Sequence, residues 1–260
     1  MEPVKAIFFD LDDTLLWDER SIQLAFEDTC ELAKRKYELD PKVLEENTRK
    51  AARELYESYD VYPFTQMIGI NPFEGLWGEF RDEGKGFQQL KEIAPEYRKK
   101  AWTEGLKAMG VNDPEFGEEL GETFPAMRKK HPLLYEDSLP VLQKLKGKFK
   151  LILITNGSPD LQKTKLTLTP ELAPLFDEII ISGDVGRGKP DPVIFEHALK
   201  LASVKAEEAM MVGDNLNTDI LGANRTGIPS AWLNRKGKKA NPDIRPTYEI
   251  TKLEHLLELL

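Results

Sequence analysis

The stretch Ala6-Ile7-Phe8-Phe9-Asp10-Leu11-Asp12-Asp13-Thr14-Leu15-Leu16 decides the fold of this chain. The segment from Val4 to Phe9 is mainly branched and aromatic, and it is long enough for one buried parallel strand. Asp10 and Asp12 follow where that strand is expected to end. Because ligands of a parallel α/β sheet bind outside the carboxyl ends of its strands, we expect both carboxylates at the binding crevice. For an Asp-x-Asp pair by itself, a plain turn is the alternative, since Asp hydrogen-bonds its own backbone in turns.

Composition sets the broad class of the protein. The 260 residues are 40% hydrophobic and 31% charged, which is typical of a globular protein with one large or two smaller domains. The net charge of −9 argues against nucleic acid as a partner, because phosphate backbones recruit basic surfaces. No apolar run has the length of a signal peptide or a membrane span, so we expect a cytoplasmic protein without a membrane partner. Cys30 is the only cysteine, which excludes an internal disulfide.

Residues 17–132 show apolar residues at helical spacing and predict an inserted helical domain. Four amphipathic helices are expected, covering Ile22 to Ala33, Leu44 to Tyr59 behind Asp40-Pro41, Tyr97 to Met109 before Gly110, and Phe116 to Met127 behind Asp113-Pro114. Helices with short connections favour a small antiparallel bundle.

The connection from Tyr59 to Phe87 within this domain is unusual, because aromatic residues alternate with glycines. Its aromatic residues are Tyr62, Phe64, Phe73, Trp77 and Phe80. Such a composition suits an adaptable wall over a binding pocket. A loop held to the bundle by aromatic anchors is the equally supported alternative, and the sequence leaves both open.

After Leu133 the pattern changes to alternating strands and helices. Apolar strands are predicted at Leu151 to Ile154, Glu178 to Ser182, Ala209 to Val212 and around Ser230 to Leu233, with a last helix from Thr251. This alternation predicts an α/β fold, a Rossmann-like parallel sheet in a three-layer α/β/α core. The strand at Val4 to Phe9 belongs to that sheet, so residues 1–16 and 133–260 form the predicted core and residues 17–132 the inserted helical cap.

Polar side chains follow each predicted strand at the edge where the crevice is expected. Asp10 and Asp12 follow the first strand, Thr155 and Asn156 the second, and Asp214 a later one. Converging carboxylates repel one another unless a cation joins them, and carboxylate oxygens suit Mg²⁺. Together with Lys189, between Gly188 and Pro190, and with helix N-termini, such a cation would make a surface that binds and polarises phosphate.

Four short motifs in order resemble those of the haloacid dehalogenase-like hydrolase superfamily. They are Asp10-x-Asp12-x-Thr14, Thr155-Asn156, Lys189-Pro190, and Gly213-Asp214 with Asp219. The resemblance covers essentially the whole chain, core and inserted cap together. Gly183-x-x-x-x-Gly188-Lys189 also matches a phosphate-binding P-loop, but Pro190 stands where that motif needs Ser or Thr, so we reject it.

The resemblance implies roles for the acidic residues. Asp10 would be the nucleophile that forms an aspartyl-phosphate. Asp12 would be the general acid for the leaving oxygen and then the base for the attacking water. Asp10, Asp214 and, through its backbone carbonyl, Asp12 would hold Mg²⁺.

It also implies roles for the residues around phosphate. Thr155 and the backbone amide of Asn156 would bind the phosphoryl oxygens, and Lys189 would neutralise charge in the transition state. Asp219 would orient Lys189 or a water on the metal. The alternative for Asp219 is an acid placed in the first turn of a helix, where the helix dipole favours it.

The expected function is Mg²⁺-dependent hydrolysis of a small phosphomonoester by a monomer or weak homodimer. Candidate substrates are a nucleoside monophosphate, phosphoserine or a sugar phosphate. The stretch from Gly188 to Phe195 resembles phosphatases of nucleoside monophosphates and acylneuraminate phosphates. A haloacid dehalogenase, a phosphomutase and a non-enzymatic scaffold are the alternatives. The basic run from Arg235 to Lys239 is interpreted as a solvated loop rather than a nucleic-acid site.

Overall fold

The computed structural model describes residues 3–260, which cluster into two compact units. Residues up to Trp17, together with Leu133–Leu260, form the first unit, called the core unit below. Asp18–Pro132 form the second, called the helical unit. Trp17 belongs to the core unit because its backbone N–H donates to the Leu133 carbonyl at 2.9 Å and its ring stacks on Tyr135.

The core unit is built on a parallel sheet, as the alternating pattern predicts. Its six strands are β1 Ala6–Phe9, β2 Lys150–Thr155, β3 Glu178–Ile181, β4 Ala209–Gly213, β5 Ser230–Leu233 and β6 Tyr248–Ile250. They lie in the order β3-β2-β1-β4-β5-β6, and every neighbouring pair is parallel. The central strand β1 lies in register with both neighbours, so that Phe9 is level with Leu153 and Val212.

Helices account for most of the remaining described chain. They are α1 Asp18–Tyr37, α2 Pro41–Glu57, α3 Tyr62–Ile68, α4 Pro72–Gly75, α5 Lys85–Lys107, α6 Pro114–Lys130, α7 Ser138–Leu145, α8 Pro159–Leu168, α9 Ser182–Val185, α10 Pro192–Ala202 and α11 Leu221–Thr226. No helix among residues 3–260 has the length and apolar character needed to cross a membrane.

Both faces of the sheet are buried, which explains why its strands are continuous apolar runs. Side chains alternate between the faces. Ile7 and Phe9 of β1 join a core that includes residues of α7, whereas Ala6 and Phe8 join one that includes residues of α10. The three-layer α/β/α architecture predicted from the sequence is therefore confirmed.

Two elements at the end of the core unit differ from the prediction. β6 was not predicted, and the chain from Leu253 to Glu258 is a 3₁₀ helix rather than the expected α-helix. A strand of three residues, Tyr248–Ile250, is too short for its alternation to show as a period. The strand forms because β5 offers it an edge to pair with, and not because of a local sequence pattern. Ala231 lies beside Tyr248 and Leu233 beside Ile250.

In the helical unit, α1, α2, α5 and α6 correspond to the four predicted helices. Two of their contacts depend on glycine. A Cβ atom on Gly105 of α5 would lie 2.2 Å from Thr48 Oγ1 of α2, and one on Gly117 of α6 would lie 2.2 Å from Thr103 Oγ1 of α5. Hydrogen in place of a side chain lets the helix backbones approach closely at both points.

The aromatic stretch between α2 and α5 contains α3 and α4, and it packs into the helical unit. Trp77 and Phe80 are buried, and the Arg128 guanidinium carbon lies 4.7 Å from the centre of the Trp77 ring. Phe64 contacts Phe87 edge to face, with ring centres 5.0 Å apart. Of the two alternatives that the sequence leaves open, the structure favours aromatic anchors for these side chains.

Candidate active site

Asp10 is the first polar residue after β1, and the sheet continues through its backbone. Its N–H donates to the Val212 carbonyl at 3.0 Å, so the residue is held at the carboxyl end of β1 beside β4. The Thr14 hydroxyl donates to Asp10 Oδ2 at 3.0 Å. The same hydroxyl oxygen accepts from the backbone N–H of Asp214 at 3.1 Å. Thr14 therefore ties the two strand ends together.

The chain after Asp10 forms a tight turn. The N–H groups of Leu15 and Leu16 both donate to the Leu11 carbonyl at 2.9 Å. Asp13 has φ of +59°, a left-handed conformation that Asp tolerates better than most residues. The turn returns Thr14 to the Asp10 side chain, which explains why a threonine four residues after Asp10 contributes to the site.

Lys189 joins two carboxylates. Its ammonium lies 2.6 Å from Asp10 Oδ1 and 2.7 Å from Asp219 Oδ1, and the residue is only 5% exposed. The side chain of Asn156 fixes the Lys189 backbone, because its amide donates to the Lys189 carbonyl at 2.9 Å and accepts from the Lys189 N–H at 2.8 Å. This function of the Asn156 side chain is additional to the one predicted for its backbone amide.

Asp219 enters the site from a turn and not from a regular helix. The five residues Leu216–Ile220 after β4 form a π-helical turn ahead of α11. Within it, Asp219 Oδ2 accepts from the N–H of Asn215 at 3.1 Å. A Cβ on Gly213 would lie 2.2 Å from Asp219 Oδ2, so the carboxylate occupies space that a side chain at Gly213 would need.

Asp214 is held by its neighbours on β5 and in the loop after it. The indole N–H of the buried Trp232 donates to the Asp214 carbonyl at 2.9 Å. The Lys238 ammonium lies 3.0 Å from Asp214 Oδ2. Asp214 therefore follows β4 with its backbone fixed by Thr14 and Trp232.

Burial and mutual repulsion shape the acid strengths of this cluster. Burial, and to a lesser extent the charge of Asp219, raises the pKa of Asp10 to about 6, although Lys189 and Thr14 act in the opposite direction. Burial raises the pKa of Asp214 and that of Asp219 as well. The pKa of Lys189 also rises, because the charges of Asp10 and Asp219 outweigh the effect of its burial. Lys189 therefore stays protonated.

The residues present fit a hard divalent cation. One carboxylate oxygen from each of Asp10, Asp214 and Asp219 lies within 4.8 Å of the other two. An all-oxygen donor set suits Mg²⁺, and a cation would remove the repulsion and desolvation that raise these pKa values. Asp214 and Asp10 belong to the predicted ligand set. Asp219, predicted to orient Lys189 or a water on the metal, is the third acid of this cluster.

Asp12 and Thr155 lie together, a short distance along the same sheet edge. The Lys165 ammonium lies 2.8 Å from Asp12 Oδ2, and the Gln162 amide donates to the same oxygen at 3.1 Å. Gln162 also donates to Thr155 Oγ1 at 2.6 Å. Sequence reasoning did not identify Gln162 or Lys165. Their spacing of one helical turn on α8, directly after the Thr155 motif, was the available signal.

In the basic run after β5, the lysines are exposed as predicted, but Arg235 is not. Arg235, interpreted as solvated, has a largely buried side chain that binds both carboxylate oxygens of Asp137, at 2.7 and 2.9 Å. Its guanidinium also lies 3.9 Å from the centre of the Tyr135 ring. Arg235 thus holds in place the loop from which Lys238 contacts Asp214. No local sequence pattern indicates this contact of Arg235.

Comparison with known proteins relates this geometry to a family. Residues 4–227 match the family model described as haloacid dehalogenase-like hydrolase. A curated relative, the phosphoserine phosphatase of Thermus thermophilus, is 34% identical over 253 residues, which cover 97% of this chain and 98% of the relative.

Solved structures extend the comparison. The hydrolase YfnB of Bacillus subtilis, solved with bound magnesium, has a TM-score of 0.67 and 25% identity, covering 100% of this chain and 99% of that one. The 2-haloacid dehalogenase of Pseudomonas syringae pv. Tomato DC3000 has a TM-score of 0.55 and 28% identity, covering 98% and 97%.

Proposed function

The chain belongs to the haloacid dehalogenase-like hydrolases, and from this premise we propose that it hydrolyses a small phosphomonoester with Mg²⁺, through an aspartyl-phosphate on Asp10. One observation carries the proposal. A buried carboxylate at the end of the central strand contacts a buried ammonium, and two further carboxylates lie close enough to share a cation with it. That combination suits attack on a dianionic ester, which needs charge neutralised on both partners.

In the first step, an oxygen of Asp10 attacks phosphorus and the bond from phosphorus to the leaving oxygen breaks. Asp12 gives its proton to that oxygen, and an alcohol departs. Lys189, with its ammonium 2.6 Å from Asp10 Oδ1, offsets the charge that spreads over the phosphoryl oxygens. Thr155 and the backbone amide of Asn156 bind those oxygens.

In the second step, water attacks the phosphorus of the aspartyl-phosphate, and Asp12 accepts a proton from it. The bond from phosphorus to Asp10 breaks, which releases inorganic phosphate and restores the Asp10 carboxylate. Asp219 and Asn156 hold Lys189 in place through both steps, by its side chain and its backbone respectively.

Asp10 and Asp214, with the backbone carbonyl of Asp12, would hold the Mg²⁺ ion, and Asp219 lies near enough to contribute. When bound, the ion would polarise a phosphoryl oxygen and screen the Asp10 carboxylate from the phosphate charge.

For the substrate, the similarity to a phosphoserine phosphatase makes phosphoserine the first candidate. Nucleoside monophosphates and sugar phosphates follow, from the resemblance of the segment after Lys189. We also propose that the helical unit acts as the cap that selects the leaving group, because the site residues of the core unit are all assigned to phosphate, metal or proton transfer.

A haloacid dehalogenase is the second candidate, favoured by the similarity to the solved Pseudomonas enzyme. Asp10 would be the nucleophile in that reaction too. A departing halide needs no proton, however, and a dehalogenase would have no use for Asp12 with its two buried donors, Gln162 and Lys165. These contacts favour the phosphatase.

The test is release of inorganic phosphate from a panel of phosphomonoesters that includes phosphoserine, nucleoside monophosphates and sugar phosphates. We expect turnover with Mg²⁺ and none in EDTA. Asp10→Asn keeps the shape of the side chain and removes the attacking charge, so turnover should fall by roughly a thousand-fold or more. Near wild-type turnover in that variant, or chloride release from 2-chloropropionate without phosphate release from any ester, would contradict the proposal.

A further inference from the structure

We infer that Lys165 and Gln162 are positioning residues for Asp12, which bind its Oδ2 atom and thereby fix the orientation of the carboxyl group that exchanges the proton with the substrate. This inference rests on the proposed function, because it assigns a task within that reaction. Gln162 and Lys165 are buried residues of α8, and neither belongs to the four family motifs.

The contact geometry is the first support. Asp12 Oδ2 accepts two hydrogen bonds, from Lys165 Nζ at 2.8 Å and from Gln162 Nε2 at 3.1 Å. Two donors on one carboxylate oxygen restrict rotation of the Asp12 carboxyl group, so the direction in which it can give a proton to the leaving oxygen is fixed.

Burial is the second support. The Lys165 side chain is 4% exposed, whereas the Asp12 side chain is 26% exposed. Removing an ammonium from water costs several kcal/mol unless a charge partner repays it. Asp12 contributes such a charge once its proton has left, so Lys165 stabilises the carboxylate that the first step produces and that the second step uses as a base.

Gln162 links this acid to the phosphate-binding residues. Its Nε2 group also donates to Thr155 Oγ1 at 2.6 Å. That hydroxyl oxygen accepts from Gln162, and its own hydrogen makes only a long contact, 3.5 Å to the Asn156 carbonyl, so it can turn toward a phosphoryl oxygen. One amide thus sets the distance between the group that protonates the leaving oxygen and the group that binds phosphate.

The surrounding backbone keeps Gln162 in this place. The side chain is fully buried, and a Cβ on Gly157 would lie 3.0 Å from its amide carbon. Gly157 has φ of +142°, a conformation that side-chain-bearing residues rarely adopt. Ser158 begins α8 by accepting from the Leu161 N–H at 3.2 Å, which sets the direction from which Gln162 and Lys165 reach Asp12.

The experiment compares two esters that share a ring and differ in their leaving group. 4-Nitrophenyl phosphate leaves without protonation, and phenyl phosphate needs an acid. The quantity measured is kcat/KM, which reports steps up to the first departure of alcohol. In Lys165→Met we expect kcat/KM to fall at least ten-fold more for phenyl phosphate than for 4-nitrophenyl phosphate.

Matched variants separate positioning from packing. Lys163 is exposed on the same helix, so Lys163→Met should change neither ester. Lys165→Arg should restore part of the phenyl phosphate rate. In an Asp12→Asn background, Lys165→Met should leave the ratio of kcat/KM for the two esters unchanged, because Lys165 acts through Asp12. Gln162→Met should produce the same difference together with a higher KM for both esters.

An equal loss on both esters in Lys165→Met, or a further split in the Asp12→Asn background, overturns the inference while the proposed function stands. If Lys165→Met fails to fold, Lys165→Gln removes the charge with a polar side chain and is judged by the same ratio. Absence of turnover of either ester by the wild-type protein contradicts the proposed function itself, and the inference with it.

Discussion

Single residues explain why the candidate site is stable at all. Asp10 and Asp219 are buried acids that approach each other, and Lys189 is the ammonium that both contact, at 2.6 and 2.7 Å. The cost of burying these groups is offset only while all three are present. Lys189 therefore stabilises the folded state in addition to its proposed part in the reaction.

This arrangement predicts a pH-dependent instability of Lys189→Met in metal-free buffer. The pKa of Asp10 is already raised to about 6 by burial, and removing the ammonium raises it further. A raised pKa in the folded state means that stability is highest at low pH and is lost as the pH rises through that pKa. We expect the variant to lose about 3–5 kcal/mol at pH 8 and less at pH 5.

Urea unfolding at the two pH values in EDTA measures the difference. The exposed Lys200→Met serves as the control and should leave the free energy of unfolding unchanged at both. A loss for Lys189→Met that is the same at pH 5 and pH 8 would mean that the Asp10 and Asp219 carboxyls do not depend on this ammonium.

Among the elements, the junction between β4 and α11 is the most constrained. β4 ends in Gly213, Asp214 follows directly, and the π-helical turn brings the Asp219 carboxylate back over the strand end. An ordinary α-helical turn would place residue 219 at a different angle around the axis. The extra residue in the turn, together with the missing side chain at Gly213, directs Asp219 toward Lys189.

Gly213→Ala should therefore destabilise the core unit, because its Cβ would lie 2.2 Å from Asp219 Oδ2. We expect the free energy of unfolding to fall by about 1–3 kcal/mol, the usual cost of overpacking. In an Asp219→Ala background the same substitution should cost much less, since the conflicting carboxylate is gone. Additive losses in the double variant, measured by chemical unfolding, would show that Gly213 is needed for another reason.

At the scale of the molecule, the candidate metal site belongs to one of the two compact units. The candidate metal ligands Asp10, Asp214 and Asp219 all lie in the core unit, and among the described residues they form the only group of three or more acidic, histidine or cysteine side chains close enough to share an ion. The helical unit has its own buried core, centred on Phe26, Trp102 and Phe124. A cation that binds the folded cluster should therefore stabilise the core unit directly.

Thermal unfolding with and without Mg²⁺ tests this. At a concentration about 100 times its dissociation constant, a ligand of the folded state adds about 2.7 kcal/mol, and for a unit of this size that corresponds to a rise in Tm of roughly 5 °C or more. Asp214→Asn should abolish the rise. A rise of equal size in Asp214→Asn would assign the stabilisation to a site elsewhere.

Much of this architecture was predictable from local pattern. Five of the six strands are apolar runs bounded by turn residues, because a parallel strand is buried on both faces and needs no alternation. The four long helices of the helical unit show apolar spacing and Asp-Pro starts at Asp40-Pro41 and Asp113-Pro114. The family membership followed from four short motifs, three of which begin at the end of a strand, whereas Lys189-Pro190 lies in the loop between α9 and α10.

Other features depend on which strands become neighbours. β6 pairs only because β5 offers an edge, and Arg235 is buried only because Asp137 lies beside its loop. Gln162 and Lys165 resemble ordinary helix residues, yet they reach Asp12 because β2 pairs with β1.

By itself, the sequence determined that this protein is a haloacid dehalogenase-like hydrolase with a parallel α/β core and an inserted helical segment, and it indicated which polar residues stand at strand ends. Local hydrophobic period and turn chemistry carry that information. Only the tertiary structure decided that Lys189, 179 residues from Asp10 along the chain, neutralises it, that Asp219 joins Asp10 and Asp214, and that Asp12 belongs with Lys165. These contacts arise from strand order and register, which are set by packing among distant segments.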